Sequence, residues 1–283
     1  MSSGVNRRTA VKLLLAGGAT GLAGVGGYGY LYERHELTVT RANLPVLDLP
    51  QPLEGVRIGL LTDTHRSRWV SHADVVSAVT ALMNETPDLI VLGGDYVTWG
   101  DRQYVHASAD ALDALTAPLG VYGILGNHDD DHDMPAALTA RGVQMLKNAR
   151  TTITVHGQAL DLVGISFWTR RAADIARLVK GTSGTVVLLA HDPRRLNEAA
   201  GLKIPLVLSG HTHGGQVVVP GIGPFAAQKF PVVSGIGRRD RTTIFVSKGV
   251  GTVYVPVRVN CPPEVAVLTL QRDIQEAARR ISG

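Results

Sequence analysis

Five short apolar runs in this chain each lead into residue types that bind metal ions. The runs are residues 56–61, 89–92, 121–125, 186–190 and 205–208. A continuous apolar run bounded by turn residues indicates a strand that is buried on both faces. The carboxyl ends of such strands meet at one edge of an open α/β sheet, where these folds bind the molecules on which they act. The polar side chains that follow the five runs are therefore expected to converge on one site.

The polar residues after the runs form a mixed set of oxygen and nitrogen donors without a thiolate. They are Asp63, His65, Asp95, Asn127, His191, His211 and His213. Such a set suits manganese, iron or zinc in a reactive site, whereas a structural zinc site normally recruits cysteine. Seven ligands are too many for one tetrahedral ion but suit two ions that share a carboxylate. We expect two transition-metal ions, with manganese favoured and iron or zinc as alternatives.

Each of these residues taken alone has a simpler explanation. An aspartate after a strand is usually a turn former or a helix cap. The string Gly126-Asn127-His128-Asp129 alone would suit a tight turn with a solvated acidic tail. The inference of a metal site depends on the ordered set, in which every candidate ligand follows a buried strand.

Three further residues are candidates for catalysis or substrate binding. His128 is left over once the ligands are assigned, and a free histidine beside two metal ions is a natural general acid for a leaving oxygen. Asp129 either orients His128 or caps the helix that is predicted to begin near Met134. Arg66 could bind a phosphate oxygen, because a guanidinium matches phosphate with two hydrogen bonds; an exposed loop arginine is the alternative.

In this order, the motifs resemble those of the calcineurin-like metallophosphoesterase superfamily. They are Asp63-x-His65, Gly94-Asp95, Gly126-Asn127-His128-Asp129, His191 and Gly210-His211-Thr212-His213. The similarity continues to about Leu270. Later strings resemble the bacterial exported or membrane-associated branch, namely Gly-His-Thr-His-Gly-Gly-Gln at 210–216, Gly249-Val250-Gly251, Pro256-Val257-Arg258 and Pro262-Pro263-Glu264.

The resemblance implies a fold, a ligand assignment and an activity. The fold would be a four-layer αββα sandwich with a dimetal site at the carboxyl ends of its strands. Asp95 would bridge the two ions, and His128 would be the catalytic acid. The first ion would be held by Asp63, His65, Asp95 and His213, and the second by Asp95, Asn127, His191 and His211. One departure concerns the protein-phosphatase branch, in which a second aspartate pairs with the catalytic histidine; here Tyr96-Val97-Thr98 follows Asp95, which leaves the orienting group open.

The implied activity is that of a metal-dependent phosphoesterase. A hydroxide bridging the two ions would attack a phosphodiester or pyrophosphate bond, in an envelope or lipid-linked substrate. The alternatives are an enzyme like the UDP-2,3-diacylglucosamine pyrophosphatases of lipid A synthesis and a metal-binding scaffold without catalysis. Resemblance at the level of the fold does not choose among these substrates.

Composition and charge limit the remaining possibilities. Residues 33–283 suit a single catalytic domain, and 45% hydrophobic against 18% charged residues suits a globular core. Three of the 28 basic residues precede Tyr32, which leaves 25 against 24 acidic residues and no broad positive footprint. We therefore expect no nucleic-acid partner. The single cysteine, Cys261, excludes an internal disulfide.

Residues 1–32 are predicted to be a signal or membrane anchor. Arg7-Arg8 in Asn6-Arg7-Arg8-Thr9-Ala10-Val11-Lys12 resembles a twin-arginine export signal. The twenty residues 13–32 are uncharged, a length that suits a membrane span, although seven of them are glycine. No A-x-A triplet precedes Glu33, which favours an uncleaved anchor over a released protein. The expected partners are the twin-arginine export machinery and the membrane, with the enzyme on the outer face of the cell membrane or exported.

The pattern of apolar residues also predicts the remaining elements. An edge segment is expected at 37–49, and a hairpin at 151–155 and 159–165. Helices are expected at 72–84, 104–115, 135–141, 172–180 and, at the end of the chain, 271–283. Late strands are expected at 216–219, 242–247, 253–259 and 265–270. The Gly- and Pro-rich stretch 220–237 is a candidate lid over the site or a plain surface loop.

Overall fold

The computed structural model describes residues 20–21 and 23–273. The Arg7-Arg8 motif and most of the helix predicted at 271–283 lie outside these residues. Residues 23–31 are helical. Within the described residues, no helix combines the length and the apolar character that crossing a membrane would require.

Two six-stranded sheets form the centre of the molecule. The first sheet contains β1 (Thr38–Val46), β2 (Arg57–Leu61), β3 (Leu89–Leu92), β4 (Val121–Gly123), β5 (Gln144–Met145) and β14 (Glu264–Arg272). The second contains β6 (Ala149–Val155), β7 (Gln158–Gly164), β8 (Thr185–Leu189), β9 (Leu206–Ser209), β12 (Gly235–Arg239) and β13 (Thr242–Val246). A small ribbon pairs β10 (Val218–Val219) with β11 (Gly223–Pro224).

Parallel pairing dominates the centre of both sheets. In the first sheet the order is β1-β14-β2-β3-β4-β5, in which β2 to β5 are parallel and β14 is antiparallel to β2. In the second sheet the order is β12-β13-β9-β8-β7-β6, and β7, β8, β9 and β13 are parallel. The carboxyl ends of β2, β3, β4, β8 and β9 are the ends that carry the predicted ligands.

Helices cover the outer face of each sheet. The first sheet is covered by α1 (His72–Met83), α2 (Val105–Ala111) and α3 (Asp133–Thr139), and the second by α4 (Ala172–Val179) and α5 (Leu196–Gly201). One apolar core lies between the sheets, and two further cores lie between each sheet and its helices. The predicted four-layer αββα sandwich is therefore confirmed.

The apolar runs are explained by strands that face two cores at once. In β3, Leu89 and Val91 pack between the two sheets, whereas Ile90 and Leu92 pack against the helices. Because neighbouring residues of a strand point to opposite faces, each residue of such a strand must be apolar. The same alternation in β2, β8 and β9 accounts for the other runs.

The prediction of a strand at 253–259 was wrong. These residues belong to the loop 247–263 between β13 and β14, and only Val259 makes an isolated bridge, to Val217. Tyr254 has φ of +63°, which a strand does not allow, and Pro256 has no amide hydrogen to donate. The predicted strand 216–219 is reduced to β10, and the predicted loop 220–237 ends inside the unpredicted strand β12.

The segment before the first strand packs against the loop 247–263. The carbonyl of Gly29 accepts a hydrogen bond from the backbone amide of Arg258 at 3.3 Å. A Cβ on Gly29 would lie 2.3 Å from the carbonyl oxygen of Arg258, so the contact needs glycine. The buried Glu33 accepts the amide of Cys261 at 2.6 Å. The predicted boundary between residues 1–32 and 33–283 stays a prediction.

Candidate metal centre

The two sheets bring the predicted ligands together from opposite sides. Asp63, His65, Asp95 and Asn127 follow strands of the first sheet, and His191, His211 and His213 follow strands of the second. Two compact groups result, in each of which the ligand atoms lie within 4.8 Å of one another. The groups are Asp63, His65 and His213, and Asp95, His191 and His211.

Asp95 lies between the two groups. Its Oδ2 is 3.5 Å from Nε2 of His65, in the first group, and 3.1 Å from Nε2 of His191, in the second. Its Oδ1 accepts the backbone amide of His128 at 2.8 Å. One carboxylate oxygen therefore faces an imidazole of each group, which is the geometry that a bridging ligand requires.

Burial determines the charge states of the imidazoles. Burial lowers the pKa of His65 and of His211 to about 3, and it lowers the pKa of His213 well below its usual value. These three rings are neutral at pH 7 and keep the lone pairs that a metal needs. Burial alone would also lower the pKa of His191, but the facing carboxylates of Asp95 and Asp63 raise it.

The two carboxyl groups of the centre differ from each other, since the neighbouring imidazoles of His191 and His65 lower the pKa of Asp95 despite its burial. Burial raises the pKa of the Asp63 carboxyl, and the negative charge of Asp95 adds to the rise while His191 opposes it. His191, whose pKa is raised to about 10, is the one imidazole of the two groups that offsets the negative charge of these two buried carboxylates, so the groups hold less positive charge than negative. A bound cation would supply the missing positive charge.

Unpartnered polar atoms support the same fit. Oδ1 of Asn127 is buried and accepts no hydrogen bond from the described part of the chain. An amide oxygen in this position costs free energy unless it finds a partner such as a metal ion. The donor set of carboxylate, amide oxygen and neutral imidazole suits manganese, iron or zinc. The residues present therefore fit two metal ions.

Second contacts orient the imidazole rings. Nδ1 of His191 donates to the carbonyl of Gly93 at 2.7 Å. Its Nε2, which lies 3.1 Å from Oδ2 of Asp95, is therefore the nitrogen that could bind a metal ion after losing its proton. Nδ1 of His65 lies 3.1 Å from Oγ1 of Thr98. Such outer contacts hold metal-binding rings in place and select the nitrogen that binds.

The backbone at the ligands is strained. Five of the seven candidate ligands have φ between +46° and +73°, a region that costs roughly 1–3 kcal/mol for a residue with a side chain. They are Asp63, His65, Asp95, His211 and His213. Small neighbours make room: a Cβ on Gly126 would lie 2.0 Å from Oδ1 of Asp95, and one on Gly210 would lie 2.2 Å from Oδ2 of Asp63. Strain of this kind typically marks a functional site.

His128 is oriented by a backbone amide. The amide of Trp99 donates to Nδ1 of His128 at 3.2 Å, so a neutral ring carries its proton on Nε2. The ring centroid of His128 lies 4.5 Å from that of Trp99 and 5.0 Å from that of His65. Burial lowers the pKa of His128. The orienting group that the sequence left open is thus the amide of Trp99 and not a second carboxylate.

Asp129 connects the two ligand loops of the first sheet. Its carboxylate accepts the backbone amides of Asp95 at 2.8 Å, Tyr96 at 2.6 Å and Gly126 at 2.8 Å. Burial raises its pKa to about 7. These hydrogen bonds go to backbone amides and not to the ring of His128, so Asp129 holds the loops that carry Asp95 and Asn127. A direct catalytic role stays a prediction.

The side chain of Arg66 hydrogen bonds to backbone carbonyl groups of its own loop. Its Nη1 donates to the carbonyl oxygens of Ser67 and Val70, at 2.5 and 2.8 Å, and its guanidinium lies 5.0 Å from the ring centroid of Tyr104. The predicted contact with a substrate phosphate stays a prediction.

The fully buried Arg258 is a residue that sequence reasoning missed. Its Nη2 donates to the carbonyl oxygens of Lys248, Gly249 and Gly251, at 2.9, 2.9 and 2.6 Å. The amide of Gly251 in turn donates to the carbonyl of Asp63 at 2.7 Å. Arg258 therefore shapes the loop that packs on a candidate ligand. The string Pro256-Val257-Arg258 was noticed, but nothing in it indicates burial.

Two grooves meet beside the metal centre. The first groove, of 570 Å³, is called the polar groove because it alone is lined by Ser67, Arg68, Thr98, Asp101 and Gln103. The aromatic rings of Trp69, Trp99 and Tyr104 line it as well. The apolar groove, of 540 Å³, is lined by Val217, Val219, Ala226, Ala227 and Phe230 and reaches His211 and His213. Both grooves share Val253, Tyr254 and Val255, so the exposed Tyr254 stands between them.

Comparison with known proteins agrees with this geometry. The model of the calcineurin-like phosphoesterase family matches residues 56–215. The uncharacterized metallophosphoesterase YkuE of Bacillus subtilis is 29% identical over 280 residues, covering 94% of this chain and 98% of that protein. The phosphodiesterase YaeI of Escherichia coli is 31% identical over 284 residues, covering 92% and 98%. A transmembrane protein with a metallophosphoesterase domain from Danio rerio is 28% identical over 291 residues, covering 96% of this chain and 64% of that protein.

Proposed function

The chain belongs to the calcineurin-like phosphoesterase family, and we propose that this hydrolase of phosphoric esters acts on phosphodiesters with the help of two bound metal ions. The observation that carries the proposal is the pair of grooves beside the metal centre. The apolar groove reaches His211 and His213, and the polar groove is lined by Trp99, which contacts His128. A phosphodiester has an organic group on each side of its phosphorus, and each groove offers space for one of them. A monoester would use only one groove. The similarity to YaeI, which is named a phosphodiesterase, supports the same choice.

The candidate ligands are assigned to the two ions by their grouping. Asp63, His65 and His213 would hold one ion, with Asp95 as the bridge. His191, His211 and Asn127 would complete the second, again with Asp95. Two bound ions would supply positive charge for the attacking and leaving oxygens of a displacement at phosphorus. Manganese is the ion we propose, and iron or zinc would suit the same ligands.

His128 is proposed as the proton donor. Its Nδ1 accepts the amide of Trp99, so Nε2 is the nitrogen available to a leaving oxygen; proton donation from Nε2 requires the imidazolium form, in which Nδ1 gives up that hydrogen bond. Asp129 holds the loops of Asp95 and Asn127 in register, and thereby positions His128 between them. The chain's own residues thus orient the ester and protonate its leaving group.

The apolar groove favours a lipid-linked substrate. Its lining of valine, alanine and phenylalanine side chains offers an alkyl group a surface removed from water. Burying an alkyl group as large as a leucine side chain contributes about 1.5–3 kcal/mol to the free energy of binding. Lys229 belongs to the same lining, and its Nζ lies 5.4 Å from the ring centroid of Phe230. We therefore propose an envelope phosphodiester that carries an apolar chain.

A comparison of ester classes tests the proposed activity. After reconstitution with manganese, bis(p-nitrophenyl) phosphate should be hydrolysed with a kcat/KM about 10–100 times that of p-nitrophenyl phosphate, because the diester fills both grooves. A nucleoside diphosphate sugar is the pyrophosphate substrate in this comparison. Preference for the monoester or for the pyrophosphate would contradict the proposed substrate class. Iron- and zinc-loaded protein, measured in parallel, tests the choice of metal.

The proposed location is the outer face of the membrane, with residues 1–32 as export signal and anchor. The Arg7-Arg8 pair before an uncharged stretch of twenty residues supports this proposal. The similarity to the Danio rerio protein, which is named a transmembrane protein, is consistent with this location.

Replacing Arg7 and Arg8 together by lysine tests the export route. The change keeps the charge, so we expect the protein to stay folded and active in lysates but to accumulate in the cytoplasm. Cell fractionation with an activity assay in each fraction measures this. Unchanged accumulation outside the membrane would exclude the twin-arginine route.

A further inference from the structure

The two grooves differ in chemistry and in their position relative to His128. Thr98 and Trp99 line the polar groove, and the amide and ring of Trp99 contact His128 directly. The apolar groove lies on the other side of Tyr254, where it reaches His211 and His213. The candidate proton donor therefore belongs to the polar side of the centre.

Trp99 and Tyr254 form the wall between the grooves. Their ring centroids are 5.3 Å apart, and the ring centroid of Tyr254 is 6.4 Å from that of His128. Both residues have positive φ, +56° and +63°, and both are exposed, by 66% and 77%. Large, exposed aromatic side chains with strained backbones typically mark a functional surface. Here they would separate the alkyl group of a bound substrate from its polar group.

We propose that the protein cleaves mixed phosphodiesters in one direction only. The polar alcohol leaves through the polar groove, and the phosphate stays on the apolar alcohol, whose chain occupies the apolar groove. The inference rests on the proposed phosphodiesterase function and adds which of the two ester bonds breaks. Its substrate class is a diester of one alkyl alcohol and one small polar alcohol such as glycerol.

The position of His128 determines which bond breaks. In a displacement at phosphorus, a water oxygen forms a new P–O bond and the P–O bond to the polar alcohol breaks. The leaving oxygen keeps the bonding electron pair and takes a proton from Nε2 of the protonated (imidazolium) ring of His128, and the proton that the attacking water releases restores that ring. One water is consumed, and one alkyl phosphomonoester and one polar alcohol are formed. An alkyl chain in the polar groove would instead share its surroundings with the charged side chains of Arg68 and Asp101, a less favourable environment than the valine, alanine and phenylalanine side chains of the apolar groove.

Product analysis with decyl glyceryl phosphate tests the direction of cleavage. The manganese-loaded protein should release glycerol and decyl phosphate. Decanol and glycerol phosphate should form at least about ten times more slowly, a difference of about 1.4 kcal/mol between the two barriers. Mass spectrometry identifies the products. In ¹⁸O-labelled water, the label should appear in decyl phosphate and not in glycerol, because the P–O bond breaks.

A charge placed in the apolar groove tests the occupant of that groove. Val219→Asp should raise KM for decyl glyceryl phosphate about tenfold or more, because the alkyl chain would contact a carboxylate. Val76→Asp, the same change at an exposed valine of α1, is the matched control and should leave KM unchanged.

The outcomes separate this inference from the proposed function. Decanol with glycerol phosphate, an even mixture of products, or an unchanged KM in Val219→Asp would overturn the inference. Hydrolysis of bis(p-nitrophenyl) phosphate without any cleavage of decyl glyceryl phosphate would also overturn it and would leave the proposed function in place. Failure to hydrolyse either diester would overturn the proposed function itself.

Discussion

Replacing Asp95 with alanine is expected to release both metal ions and to lower kcat/KM for phosphodiesters by about 10³-fold or more. Oδ2 of Asp95 faces His65 at 3.5 Å and His191 at 3.1 Å, so its removal takes one ligand from each group. The charge stabilisation that metal ions give a reacting phosphate is worth several kcal/mol, and each 1.36 kcal/mol is tenfold in rate. Elemental analysis and steady-state kinetics on the purified variant measure the two effects.

Asp63→Ala is the matched control for the bridge. Asp63 belongs to the group with His65 and His213, so its loss should weaken one site and leave an ion at Asp95, His191 and His211. The expected metal content is therefore close to one ion in Asp63→Ala and close to none in Asp95→Ala. Circular dichroism must show that both variants are folded. Retention of both ions in the folded Asp95→Ala variant would exclude Asp95 as the bridge.

The layered fold could be predicted because buried parallel strands have a direct signature in sequence. Each residue of β3 faces one of two apolar cores, so the whole strand must be apolar, and a turn residue must follow it. The edge strand β12, Gly235–Arg239, could not be predicted because it lacks such an apolar run. It contains two glycines and two arginines and pairs on one side only, with β13, so no apolar run marks it.

The loop at residues 253–259 shows where the pattern misleads. Val253, Val255, Val257 and Val259 alternate with other residues as in a half-buried strand. Such alternation indicates that one side of the segment contacts apolar surroundings, but it does not show that a neighbouring strand pairs with the segment. Here Val253 and Val255 line both grooves, while the buried Arg258 takes backbone carbonyls of the same loop. Most hydrogen bonds of Arg258 go to backbone carbonyl oxygens, which every residue possesses, so a single sequence gives no sign of them.

The candidate ligands could be identified in the sequence, but the groups that hold them and His128 in position could not. Carboxylates and imidazoles are chemically distinctive residue types, and their position after strands indicated convergence. The group that orients His128 is a backbone amide, which every residue except proline possesses. Asp129 was noticed, but its hydrogen bonds to Asp95 and Gly126 depend on how two loops meet in space. Residue types suggested the chemistry, and only the packed loops reveal what holds it in place.

Replacing His128 with alanine is expected to keep both metal ions and to lower the rate selectively on esters with poor leaving groups. Protonation of a leaving oxygen typically contributes about 10²–10⁴ in rate, so kcat for decyl glyceryl phosphate should fall by that factor. An aryl oxide leaves readily without a proton, so kcat for bis(p-nitrophenyl) phosphate should fall far less. The ratio of the two losses therefore reports proton donation and not general damage to the site.

His106→Ala is the matched control, since His106 is an exposed histidine of α2. It should change neither rate nor metal content. Metal analysis of His128→Ala separates the two possible roles of the ring, because the amide of Trp99 already occupies Nδ1 and leaves only Nε2 for a proton or a metal. Equal losses on both esters with both ions retained would remove His128 from the acid role. Loss of an ion would make it a ligand, and the direction of diester cleavage would then need another proton donor on the polar side of Tyr254.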